Sequence, residues 1–239
     1  MSLNYTTYSS QLANLMVQDP TQPEYTTFLP GCIDYAEQRI YRELDLQVSR
    51  VVDNSATLTQ YTRNFTLPTS VGVFTVVEQI NVVTPVGATT SSGSRVPLTP
   101  VTKEFLDFAW PSQSSAYAAV PIYCAPINNT TYVVGPAPDQ AYSVEVIGTQ
   151  RPAPLSASNS STFLTQYLPD LFIAASMVFA TAFQRDFGAQ VDDPQRAASW
   201  ESQYGKLMQS ANIEELRKRF MGPGWQAMTP SPVATPARQ

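Results

Sequence analysis

The chain has 239 residues, 43% of them hydrophobic, 14% charged and none histidine, a length that holds one large domain or two small ones at about 100–200 residues per domain. Without imidazole no Ser-His-Asp or Cys-His relay can be assembled, and a zinc site would have only carboxylates with Cys32 and Cys124 to draw on. A net charge of −5 argues against a basic surface that grips nucleic acid by neutralising phosphates.

In chain order, Tyr5, Tyr8, Leu12, Leu15 and Met16 recur at helical spacing and predict a helix over 5–17, ended by Asp19-Pro20. A loop carrying Pro20, Pro23 and Pro30 follows. Ile33, Ala36, Ile40 and Leu44 then form the apolar stripe of a second helix over 31–47, with Glu37, Arg39, Arg42, Glu43 and Asp45 as its charged side. Between 55 and 150 the signals change to strands, at 61–67, 71–84, 121–124, 131–134 and 142–148. In the last, Tyr142, Val144 and Val146 alternate with Ser143 and Glu145, the period of a half-buried strand. A sheet or small barrel is expected here, with 87–94 as an exposed hairpin tip. Thr102 is placed to cap a brief helix that presents Phe105, Leu106, Ala109 and Trp110 and stops at Pro111.

The segment 151–165, rich in Pro and Ser, crosses back to helical sequence. Leu171–Phe183 is apolar all round, which full burial explains; a bilayer needs about 20 such residues, so this is a central helix and not a membrane span. Asp193-Pro194 reads as an N-cap and first helical position, and Ala197, Trp200, Tyr204, Leu207 or Met208, and Ala211 mark an inward face. Glu214 and Glu215 precede Arg217, Lys218 and Arg219, an order that complements a helix dipole, before Gly222-Pro223. Pro223, Pro230, Pro232 and Pro236 make 222–239 an extended tail. The elements predict an α+β protein. Residues 1–54 and 151–221 form a helical bundle domain, 55–150 an inserted antiparallel β domain, and 222–239 a tail. The N-terminal Met-Ser-Leu-Asn-Tyr-Thr has neither a basic start nor an apolar run, so no signal peptide is expected.

Carboxylate pairs are the remaining route to catalysis: Glu37 with Glu43, Asp192 with Asp193, Glu214 with Glu215. Six residues separate the first two and the others are adjacent, so they read better as solvated faces, caps and dipole partners. Cys32 beside Gly31 has either a lowered thiol pKa at a helix start or a buried structural role, the second being the stronger reading. Neither a G-x-G-x-x-G nor a Walker-type phosphate loop occurs. No catalytic residue, metal or cofactor is therefore expected. Trp110 and Trp200 sit in apolar patterns and read as core, whereas Trp225 lies in the tail, where an aromatic gains most by docking on another chain. Arg217, Lys218 and Arg219 read as a solvated helix end before they read as a DNA contact.

The ordered set Tyr8-Ser-Ser-Gln-Leu12, Phe28-Leu-Pro, Ala36-Glu-Gln-Arg-Ile-Tyr-Arg-Glu-Leu44 opens a resemblance. It continues through Pro121-Ile-Tyr, Val134-Gly-Pro-Ala-Pro138, Tyr142-Ser-Val-Glu-Val146 and Arg151-Pro-Ala-Pro-Leu155, and closes with Tyr167-Leu-Pro-Asp-Leu-Phe, Phe183-Gln-Arg-Asp186 and Trp200 to Tyr204. Across residues 5–205 the chain resembles the head-to-tail adaptor (connector) proteins of tailed bacteriophages, similar to the podophage tail tubular protein A group. The resemblance implies a virion protein made in the host cytoplasm. It implies a homo-oligomeric ring, typically a dodecamer, seated below the portal protein and meeting a tail or nozzle protein, with genomic DNA passing through its channel without specific binding and no membrane partner. In several members a C-terminal helix or tail inserts between portal subunits; here Leu216, Arg217, Arg219, Phe220 and Trp225 would serve. The rival readings are a virion-associated enzyme acting on carbohydrate or cell wall, and a tail module that binds glycans through 55–150.

Overall fold

In a computed structural model, which describes residues 3–183 and 194–219, the chain divides into a helical unit bounded by Met1–Gln47 and Ala153–Gln239 and a β unit, Val48–Pro152. The fold is α+β.

The helical unit is organised by what its apolar residues must hide. Helix α1 (Tyr5–Met16) starts at Asn4, whose side chain accepts the Thr7 N–H while the Thr7 hydroxyl receives the Asn4 N–H, a reciprocal capping box. Helix α2 runs from Pro23 to Glu43, so the expected loop through Pro23 and Pro30 is helical, and Leu44 is already extended. Pro23 is tolerated because a first-turn residue needs no N–H, and the hydroxyls of Thr26 and Thr27 donate to its carbonyl. Pro30 lies inside the helix and removes one bond, at a cost of about 3 kcal/mol. Against it stand Phe28, Leu29, Cys32 and Ile33, all buried, each contributing about 1.5–3 kcal/mol; burial wins. After the short α4 (Phe163–Tyr167), capped by Thr162, comes α5 (Pro169–Phe183). Residues Leu171 to Met177 are all buried, and α1, α2, α4 and α6 (Pro194–Lys218) each contact this helix. It is the central helix that its composition predicts.

Two contacts fix α1 on α5. The Tyr8 ring stacks on Phe172 at 4.7 Å, and its hydroxyl lies 2.5 Å from Ser176 Oγ, which in turn donates to the Phe172 carbonyl at 2.7 Å. With the serine proton committed, Tyr8 is the donor.

The β unit contains two four-stranded sheets and, among the described residues, no closed barrel. One is antiparallel in the order β1 (Arg50–Thr57), β8 (Ser143–Gln150), β3 (Phe74–Thr84), β4 (Ser94–Pro97). The other is β2 (Asn64–Thr66), β7 (Thr131–Gly135), β6 (Tyr123–Pro126), β5 (Thr99–Pro100), with β5 parallel to β6. Phe65, Phe74, Ile80, Val82, Val134, Val144 and Val146 form its main core. Residues 85–93 join the paired ends of β3 and β4. Helix α3 (Lys103–Ala109) starts at Thr102, whose hydroxyl accepts the Phe105 N–H, and packs on β6 and β7 through Leu106.

Strand β8 crosses the middle of its sheet, and Gly148 is where its neighbours come closest: a Cβ there would lie 2.3 Å from the Val76 carbonyl oxygen and 2.9 Å from the Phe74 ring. Because the nearest obstacle is backbone, Gly148→Ala should destabilise the protein by about 1–3 kcal/mol, read as a lowered urea midpoint with an unchanged m-value.

Candidate functional site

Helix α6 carries two of the residues that the sequence marks for docking, Leu216 and Arg217, and its inner face shows how the helix is held. Tyr204 and Ala211 are buried, and Trp200, Leu207 and Met208 are half-buried against the same core. Arg39 of α2 clamps this face: its guanidinium makes a two-pronged contact with the Glu201 carboxylate, at 2.8 and 2.5 Å, and reaches Glu43 at 3.1 Å. It also lies 4.1 Å over the Tyr204 ring, whose hydroxyl donates to Glu43. The guanidinium holds Glu201 below the usual carboxylate range. The Arg39–Glu43 pair is legible at i,i+4; Glu201, 162 residues from Arg39, and Tyr204, 161 residues from Glu43, are not.

The last turns of α6 are tied to the irregular segment that follows α2. Glu215 is only 4% exposed; its carboxylate accepts the Gln47 N–H at 3.0 Å and Lys218 Nζ at 2.6 Å. Lys218 also pairs with Glu214 at 3.0 Å and sits 5.2 Å from the Phe163 ring centre. Arg219 donates to both the carboxylate and the carbonyl of Asp45. Of the docking candidates, then, Arg219 is engaged within its own unit, while Leu216, 39% exposed, and Arg217 face outward. Phe220 and Trp225 lie outside the described residues.

The carboxylate pairs separate into unrelated networks. Glu37 is not on a solvated face: at 5% exposure it accepts the Leu155 N–H at 3.0 Å, because it stands i+4 from Ile33 and i−3 from Ile40 on the buried stripe. Glu43 belongs to the Arg39 network and is exposed. Glu215 is likewise buried, i+4 from Ala211, while Glu214 points outward. Asp192 and Asp193 lie outside the described residues. Burial raises the Glu37 carboxyl to about 7, the Asp34 charge adding to the rise and the Leu155 N–H opposing it.

Cys32 lies inside α2, not at its start, and donates to the Ser176 carbonyl at 3.4 Å; burial pushes its thiol up to about 12. Among the described residues no group of three or more Cys, Asp or Glu side chains is placed to hold a metal ion, and no helix is long and apolar enough to cross a membrane. What the helical unit offers is an end to α6 held by Glu215 and Arg219, with Leu216 and Arg217 facing outward beside it. A family model described as SU10 adaptor protein matches residues 3–228, and the chain belongs to that family. The family implies a phage adaptor with a structural role at the virion neck, associated with portal and tail proteins, in keeping with the resemblance carried by residues 5–205. The matched stretch extends to Phe220 and Trp225. No curated protein matches the chain.

Two outcomes test this account of the helical unit. Glu215→Ala leaves the Gln47 N–H and Lys218 without their shared acceptor and should cost about 1–3 kcal/mol, read by thermal unfolding, with faster amide exchange at Gln47. Glu37 makes stability depend on pH. Its ordinary carboxyl value in an unfolded chain is about 4.3, so between that pH and about 7 the folded state keeps a proton the unfolded state has released. Its stabilising contribution is full below about pH 4 and is lost as pH rises through 7. With no histidine titrating in the same window, Glu37→Gln should flatten the fall in urea midpoint between pH 5 and pH 8.

Proposed function

We propose that the protein is the head-to-tail adaptor whose copies close into a ring beneath the portal and extend the DNA channel toward the tail. The observation that carries this reading is the family match over residues 3–228, together with an α6 end whose inner side is locked by Glu215 and Arg219 while Leu216 and Arg217 stay outward. In this reading α1, α2, α5 and α6 build the ring wall, and the β unit meets the next tail component or a neighbouring copy. Of the expected docking residues, Leu216, Arg217, Phe220 and Trp225 meet the portal, while Arg219 holds the end of α6 from within through Asp45. A closed ring needs two different lateral faces that complement one another, so substitutions on either one weaken assembly. The subunit's net charge of −5 suits a channel wall that repels phosphate and lets DNA slide.

Mixing the purified protein with its portal and imaging the product by negative stain should give a second ring stacked on the portal. Arg217→Glu, at an exposed position that the fold does not use, should weaken portal binding by tenfold or more and leave the unfolding temperature unchanged. A protein that never joins the portal, or an Arg217→Glu variant that binds as well as the parent, would contradict the reading.

A further inference from the structure

The β unit exposes apolar side chains on two opposite sides that its own packing leaves uncovered. In the sheet β2–β7–β6–β5, Cys124 and Val134 face the core shared with the other sheet, and the alternate residues Ala125 and Val133 face α3. Helix α3 therefore closes one side of the unit. On it Leu106 is fully buried, while Phe105 and Phe108, three residues apart and so neighbours on the helix surface, are 45% and 87% exposed. Phe105 meets the rings of Trp110 and Tyr123 edge-on at 6.3 and 5.9 Å, so this ledge is held in one orientation and loses little freedom when covered. On the other side, the sheet β1–β8–β3–β4 turns Ile80, Val82, Val144 and Val146 inward. Residues that alternate with them face away, and strand pairing sets these in rows: Val52 beside Ile147 beside Gln79, then Arg50 beside Thr149 beside Val76. Val52 and Val76 are 48% and 56% exposed, apolar where a sheet face turned to water carries polar side chains.

Both sides are balanced in charge. On the sheet, Arg50 pairs with Glu78 and Arg95 with Glu145. Beside the ledge, Lys103 and Arg63 share Asp107, Glu104 is exposed, and the chain from Phe108 to Pro138 carries no charged residue. Val48–Pro152 holds five basic and six acidic residues, so nearly all of the net charge of −5 lies outside the β unit. Copies of an acidic protein repel one another wherever like charges face, and contact through these two surfaces avoids that cost. Aromatic and apolar side chains without charge are also what the buried centre of an interface concentrates. Two unlike faces on opposite sides of one unit are what head-to-tail contact between identical copies requires, whereas a single self-matching face stops at a pair. We infer that the Phe105–Phe108 ledge of one copy packs on the Val52–Val76 face of the next. The inference takes its partner, a second copy of this chain, from the ring reading, and it assigns the two complementary faces that a ring needs.

Two full-length variants test it, Phe108→Cys and Val76→Cys, mixed and treated with a flexible bismaleimide, with and without the portal. The native thiols, Cys32 and Cys124, are buried and should not react. A cross-linked dimer should form from the mixture in at least tenfold higher yield than from either variant alone. Adding Val52→Lys to the Val76→Cys chain, at a side chain exposed enough to spare the fold, should lower that yield at least fivefold with the thermal midpoint unchanged. Equal yield from Phe108→Cys alone, the mark of ledge on ledge, or a yield indifferent to Val52→Lys would overturn the inference. So would a mixture that gives no product in either condition. Negative-stain images of the same sample then tell the two failures apart: a ring on the portal without cross-links refutes the face assignment alone, and the absence of any ring refutes the ring reading with it.

Discussion

The helical unit rests on one constraint: α5 has no polar side to show to water. Leu171, Phe172, Ile173, Ala174, Ala175, Ser176 and Met177 are all buried, so helices must surround it, and the chain supplies them from both sides of the β unit in sequence. The one hydroxyl in that stretch, Ser176, is satisfied by bonding the Phe172 carbonyl and accepting the Tyr8 proton. It also leaves its own carbonyl to the Cys32 thiol. A stretch packed on every side, as Leu171–Met177 is, leaves little room for the helix to shift. Helix α6 packs on this helix, and its end is bonded to Gln47 and Asp45 by Glu215 and Arg219.

This arrangement separates residues that hold the fold from residues left exposed beside them. The charged side chains that a sequence scan marks as reactive, Glu37, Glu43 and Glu215, are each occupied by a structural partner: the Leu155 N–H, Arg39 with Tyr204, and the Gln47 N–H with Lys218. The two buried ones, Glu37 and Glu215, satisfy backbone donors that would otherwise be stranded when segments cross without regular secondary structure. Leu216 and Arg217, by contrast, do nothing for the helical unit that their exposure would not defeat.

Much of this was legible in the residues because strong periodicity survives folding. The all-apolar run of α5, the alternating Tyr142–Val146 strand and the Thr102 cap are each set by local patterns that tertiary contacts reinforce. The misreadings occur where tertiary contact overrides a local signal. Pro30 looks like a helix breaker, yet the buried side chains around it keep α2 continuous. Strand β1, Arg-Val-Val-Asp-Asn-Ser-Ala-Thr, shows no clean alternation because it carries an irregularity between Asp53 and Ala56 where its pairing with β8 shifts register. Glu37 and Glu215 read as solvated because charge suggests water, although their spacing from Ile33 and Ala211 already placed them on inward stripes. The link between Arg39 and Glu201 had no signal at all, since only the folded chain brings positions so far apart together.

The central claim is that this subunit works by mating with copies of itself and with the proteins above and below it at the neck. A reconstruction of the intact virion's collar tests it most directly. The account predicts a ring of this chain against the portal, with Leu216 and Arg217 at the contact and the DNA channel running through it. Density for the chain at another place in the particle, or single copies with no ring, would contradict it.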